Sequence, residues 1–138
     1  MKYYVKYLNE TKLLACKFAK DLQAGDFVVL TGDLGAGKTT FTQFVFANLG
    51  VKEVVTSPTF SVLKSYQARD FVVHHFDSYR ITTSEAIECG FDEILTDKSS
   101  CIFIEWADKI KELLPSSYIE IKIKIVNENE REIEIIKK

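Results

Sequence analysis

The chain has 138 residues, 46% of them apolar and 28% charged, which suits one soluble domain with a real hydrophobic core. A net charge of −2 gives no bulk electrostatic reason to bind nucleic acid, no apolar run approaches a membrane span, and Met1-Lys2-Tyr3-Tyr4-Val5 lacks the apolar stretch of a secretory signal. Cys16, Cys89 and Cys101 are odd in number and far apart, with no C-x-x-C pair, which argues against a zinc site or disulfide framework and suits a reducing cytoplasm.

Tyr3, Val5 and Tyr7 alternate with polar residues and predict a short strand. Asn9 or Thr11 can cap a helix running to about Leu22, with Leu14, Phe18 and Leu22 as its buried stripe and Gly25 as its stop. Phe27 to Leu30 is a short apolar run with the character of a buried strand. A glycine loop follows, and Thr40 to Leu49 predicts a helix with Phe41, Phe44, Val45 and Leu49 on one face, closed by Gly50. Thr56-Ser57-Pro58-Thr59 reads as a polar loop, since the residue before a proline is pushed out of helical conformation. Phe60 to Tyr66 and Phe71 to Phe76 read as strands joined by Gln67-Ala68-Arg69-Asp70. Thr83 or Ser84 can cap a short helix through Cys89 that stops at Gly90, and Asp92 to Leu95 adds a turn. Cys101 to Ile104 is continuously apolar, as a fully buried strand is. Ile119, Ile121, Ile123 and Ile125 alternate with charges, and Arg131 to Ile136 repeats the alternation after a turn. This predicts a C-terminal hairpin whose charged face is solvated and guards a sheet edge.

The glycine loop carries the strongest chemical signal. Gly32-Asp33-Leu34-Gly35-Ala36-Gly37-Lys38-Thr39 fits G-x-x-x-x-G-K-[ST], and it stands between a strand and a helix, the context this phosphate-binding motif requires. Glycines let the backbone turn so that successive N–H groups form an anion nest, and the helix adds its positive dipole end. The span Asp33 to Thr40 is therefore expected to cradle a nucleoside triphosphate, with Lys38 reaching the β- and γ-phosphates and Thr39 ligating Mg²⁺.

A Mg-nucleotide also needs carboxylates at the ends of neighbouring strands. Two apolar strands end in acids, one in Asp77 and the other in Glu105. One acid can hold Mg²⁺ and the other can orient the attacking water, and spacing alone leaves the assignment open. His75 shares a strand face with Asp77, while His74 faces the other way. No cysteine or third histidine stands near them, so packing is the reading for both on these residues alone. The chain lacks the Asn-Lys-x-Asp guanine-reading motif and has only three arginines, which weakens a small-molecule kinase reading. Arg80 and Arg69 are the nearest candidates for an arginine finger in cis. Without one, hydrolysis is expected to be slow until a partner completes the site.

These residues together resemble the TsaE family. The phosphate loop through Thr40-Phe41, the switch-like Ser57-Pro58-Thr59-Phe60, His75-Phe76-Asp77-Ser78-Tyr79-Arg80, the short helix before Gly90, and Glu105-Trp106 agree with it in order and spacing. Ala107 stands where a proline often follows Glu-Trp, and Ser78 stands where leucine is common. The resemblance implies an ATPase that acts with the TsaD and TsaB proteins to make threonylcarbamoyladenosine in tRNAs reading codons that begin with adenine. It implies Glu105 as the Mg²⁺ ligand, Asp77 as the catalytic or water-orienting acid, and Ser57 and Thr59 as switch residues. His75, Tyr79, Arg80 and Trp106 become site-shaping or partner-facing. The expectation is a single α/β P-loop domain over residues 1–138, a three-layer sandwich with a mixed, mainly parallel sheet and the C-terminal hairpin. Its ligands are ATP and Mg²⁺, tRNA is met only through the partner complex, and no membrane is involved. The alternatives are a small-molecule kinase and a nucleotide-switched binding module without turnover.

Overall fold

Seven strands among the described residues form one sheet. The strands are β1 (Lys2–Val5), β2 (Phe27–Thr31), β3 (Leu63–Gln67), β4 (Val72–Asp77), β5 (Ser100–Glu105), β6 (Ile119–Ile125) and β7 (Arg131–Lys137). The helices are α1 (Leu8–Asp21), α2 (Lys38–Asn48), α3 (Thr83–Glu88) and α4 (Phe91–Thr96), with a 3-10 segment over Ala107–Leu113. This computed structural model describes residues 1–33, 35–56, 62–79 and 81–138. Leu34, Ser57, Thr59 and Arg80 lie outside the described residues, as does the Ser57-to-Ser61 part of the expected loop and strand.

The four central strands, β6, β2, β5 and β4, run parallel. Antiparallel β7 and β1 extend one side, and antiparallel β3 the other. Helices α1 and α2 cover one face. Leu14, Phe18, Phe41 and Phe46 there meet Val28, Leu30, Phe103 and Ile121. On the opposite face Ala86, Phe91 and Ile110 meet Phe27, Val29, Ile102 and Ile104. These two cores make the expected three layers. Each buried large side chain contributes about 1.5–3 kcal/mol relative to exposure, so both layers hold the sheet firmly.

Several element boundaries differ from the sequence reading. Helix α1 begins at Leu8, before Asn9 or Thr11, because the Glu10 carboxylate accepts from the Lys6 and Tyr7 N–H groups at 2.9 and 3.1 Å. It stops at Asp21, and Gly25 makes a later turn at φ +95°. Helix α2 starts at Lys38, so Lys38 and Thr39 are already helical; Phe41 and Val45 are buried as expected, Phe46 joins them, and Phe44 and Leu49 are only partly buried. Helix α3 is capped one residue early, by Thr82, whose hydroxyl accepts from Glu85 N–H. The C-terminal hairpin does not guard an edge, because β1 pairs with β7 and itself forms the edge. Its charged face is also not wholly wet. Glu120 is buried, accepting from the Thr31 hydroxyl at 2.9 Å and paired with Lys138 at 2.9 Å.

Candidate functional site

The site forms where the parallel strands end. Strand β2 gives way to the loop, and α2 begins at once behind Gly37, whose φ of +106° is a left-handed conformation that glycine takes freely. Gly32 is fixed by crowding: a Cβ there would lie 2.5 Å from the Ile123 carbonyl oxygen. The C-terminal hairpin therefore forms a wall of the loop. The start of α2 presents its free N–H groups and positive dipole end to the loop's hollow, an arrangement that binds anions.

Lys38 lies in that hollow with only 6% of its surface exposed. Its Nζ donates to the Gly32 carbonyl at 2.6 Å and sits 4.0 Å from the centre of the Trp106 ring. Burial holds the ammonium below its ordinary value of 10.5, against the attraction of Glu105, Asp77, Asp33 and Asp108. A buried ammonium with four acids near it, resting on a backbone carbonyl, can turn to an anionic ligand.

The sheet register brings the acids to it. Leu30 is paired with Glu105, and Glu105 with Asp77, so both carboxylates stand on strand ends beside the loop. Both are buried, at 5% exposure for Asp77 and 4% for Glu105. Asp77 Oδ1 accepts the Tyr79 N–H at 2.9 Å. His75 is fully buried on the same face, and its Nε2 meets Glu105 Oε2 at 2.7 Å. Trp106 turns the chain out of β5 with a left-handed φ of +62°. The Ser78 hydroxyl lies 2.6 Å from the Trp106 carbonyl oxygen and 3.1 Å from that of Glu105. The Tyr79 and Trp106 rings meet with centroids 4.7 Å apart, tilted by 49°.

The structure thus joins Lys38, Asp77, Glu105, His75, Tyr79 and Trp106 in one place, with Asp33 in the adjoining cleft wall. Arg69 is a correction. It sits in the β3–β4 turn, its N–H donating to the Leu49 carbonyl, at the end of β4 opposite Asp77. It therefore cannot serve the loop in cis. Arg131, which the sequence reading passed over, does reach the loop. Its Nε donates to the Ala36 carbonyl at 3.2 Å, and its Nη1 donates to the Asn127 and Glu130 carbonyls at 2.9 and 3.0 Å. The contact joins residues 95 apart, and no local pattern announces it.

Clefts open on more than one side of the loop. One of about 680 Å³ runs from Gly32, Lys38 and Trp106 along the 3-10 segment to Glu120. Another, of about 530 Å³, opens beyond Gly35, Gly37 and Thr40, with Tyr7 and Arg131 in its wall. Oxygen donors from Thr39, Asp77 and Glu105 suit a hard cation such as Mg²⁺. Among the described residues no three acidic, histidine or cysteine side chains cluster to hold a metal unaided. Among the described residues no helix is long and apolar enough to cross a membrane.

Residues 5–133 match the family described as "Threonylcarbamoyl adenosine biosynthesis protein TsaE". A tRNA threonylcarbamoyladenosine biosynthesis protein TsaE of Rickettsia felis is 41% identical over 130 residues, covering 93% of this chain and 75% of that one. The protein of the same name in Bacillus subtilis is 41% identical over 125 residues, covering 91% of this chain and 78% of its own. The crystal structure of Bacillus subtilis YdiB superposes with a TM-score of 0.80 at 36% identity, covering 96% of this chain and 82% of that one.

Proposed function

The chain belongs to the TsaE family, and from that premise we propose that it is a Mg²⁺-dependent ATPase acting with the TsaD–TsaB pair in threonylcarbamoyladenosine modification of tRNAs that read codons beginning with adenine. The carrying observation is the meeting of Lys38, Asp77 and Glu105 at adjoining strand ends beside a phosphate loop. In this reading the backbone from Asp33 to Thr40 cradles the phosphates, and the nucleoside lies in the cleft walled by Tyr7 and Arg131. Lys38 leaves the Gly32 carbonyl for the β- and γ-phosphates. Thr39 and Glu105 hold Mg²⁺, which when bound neutralises charge on those phosphates. Asp77 orients a water against the γ-phosphorus. The new P–O bond forms as the bond to the β,γ-bridging oxygen breaks, giving ADP and phosphate.

Asp77 is the better candidate for the water and Glu105 for the cation, because His75 already fixes one oxygen of Glu105. Arg69 is remote and Arg131 is engaged by the loop's outer side. Of the three arginines this leaves Arg80 as the candidate in cis, and in this reading the chain alone turns over slowly until a partner completes the site. A net charge of −2 gives the chain no bulk electrostatic reason to hold tRNA itself, so in this reading tRNA is met through the complex. The test is Mg-dependent ATP turnover by the chain alone and with TsaD–TsaB. Slow turnover that rises strongly with the pair is expected. Equal turnover in both would detach the chain from that complex and restore the kinase or switch-module reading.

A further inference from the structure

We propose that His75 is a positioning residue for Glu105: it fixes the carboxylate so that one oxygen is held and the other is presented to the cation. The proposal rests on the reading of Glu105 as the Mg²⁺ ligand. His75 lies on β4 and Glu105 on the neighbouring parallel strand β5, both facing α2. The imidazole has no exposed surface, and the Phe46 ring packs against it edge-on at 6.0 Å. Its orientation is therefore set by the core rather than by solvent.

The tautomer follows from the partners. Nε2 is 2.7 Å from Glu105 Oε2. Nδ1 is buried and meets no partner among the described residues. A buried N–H without an acceptor costs more than a lone pair without a donor. The hydrogen therefore belongs on Nε2, where the carboxylate accepts it. This occupies Oε2 and leaves Oε1 as the donor oxygen for a cation. Removing the outer partner of a metal ligand typically lowers metal affinity about 10–100-fold. A histidine that served only to fill the core would be replaceable by any side chain of similar volume, with no effect specific to the cation.

The experiment measures ATP affinity by calorimetry as a function of Mg²⁺, in the full chain and in His75→Gln, His75→Asn, His75→Leu and Glu105→Gln variants. Gln places its amide nitrogen near the position of Nε2, and Asn does not reach it. The expected result is a Mg²⁺ requirement raised about 10–100-fold by Leu and Asn. ATP affinity without Mg²⁺ should stay within about twofold, and Gln should restore most of the loss. The Gln-to-Asn contrast carries the test should the Leu variant fail to fold. Glu105→Gln shifting the Mg²⁺ requirement while neither Leu nor Asn shifts it would overturn the role of His75 alone. Equal losses in Gln and Asn would also overturn it. No shift in Glu105→Gln would remove the cation reading of Glu105 and the proposal together.

Discussion

Lys38 is costly to the fold, and the proposed function gives that cost a use. Its folded pKa lies below 10.5 because burial outweighs the nearby acids. The unfolded chain then holds this proton more tightly than the fold does. The resulting loss of stability is fully present at neutral pH, and it fades as pH rises through the folded value towards 10.5. Lys38→Met should therefore raise the melting temperature of the nucleotide-free protein while weakening ATP binding about 100-fold, the scale of a charged hydrogen bond. A lower melting temperature with unchanged affinity would contradict both halves. Phosphate oxygens should also return the ammonium towards its ordinary value. ATP binding at alkaline pH should then take up protons, measurable as a buffer-dependent heat of binding. In the proposed mechanism Asp77 belongs to a different step. Asp77→Asn should lower turnover about 10²–10⁴-fold, the usual worth of a positioned base, with ATP affinity within about threefold. Loss of Mg²⁺-dependent binding instead would exchange the roles of Asp77 and Glu105.

At the scale of elements, the ends of β4 and β5 are stitched together by Ser78, which donates its N–H to the Glu105 carbonyl and brings its hydroxyl to that of Trp106. That stitch holds Trp106 at a positive φ, and its ring over Lys38. Ser78→Ala should cost about 1 kcal/mol in urea unfolding, as one buried hydrogen bond does. Trp106 is the only tryptophan, so its fluorescence reports this place alone. The emission should shift in Ser78→Ala and be recovered in Ser78→Thr, which keeps the hydroxyl. An unchanged spectrum would show that the hydroxyl does not set the ring. These elements also mark what the sequence made legible. Strands β2 and β5 were readable because burial on both faces requires unbroken apolar runs, and α2 because glycines, lysine and threonine carry its chemistry in order. Helix starts were less readable. At α1 the deciding group is Glu10 reaching back to two N–H groups, and capping residues two positions apart look equally good beforehand. The 3-10 segment went unseen because its origin is the turn at Trp106, and a tertiary hydrogen bond sets that turn.

Over the whole molecule, the phosphate loop is shaped by the other end of the chain. Strand β6 pairs with β2 and brings the Ile123 carbonyl against Gly32, while Arg131 at the start of β7 grips the Ala36 carbonyl. Residues proposed to bind phosphate and residues that hold the loop thus come from opposite thirds of the sequence. The first set was legible as a motif. The second was not, because alternating Ile and charge specify a hairpin without specifying which neighbour it joins. The consequence can be tested at Arg131. Arg131→Ala removes bonds to the Ala36, Asn127 and Glu130 carbonyls but leaves Lys38, Thr39 and both acids in place. Net hydrogen bonds from charged donors contribute about 1.5–3 kcal/mol each, and partial exposure reduces that here. ATP affinity should therefore fall about tenfold with and without Mg²⁺, since the loop's order is lost and the cation's ligands are kept. Amide hydrogen exchange should quicken in the loop from Gly35 to Gly37 and in the hairpin turn, and stay unchanged in β5. This pattern is the reverse of that expected for His75, where the cation requirement moves and metal-free binding does not. A Mg²⁺-specific loss in Arg131→Ala, with loop exchange unaltered, would mean that the arginine acts on the bound nucleotide rather than on the loop.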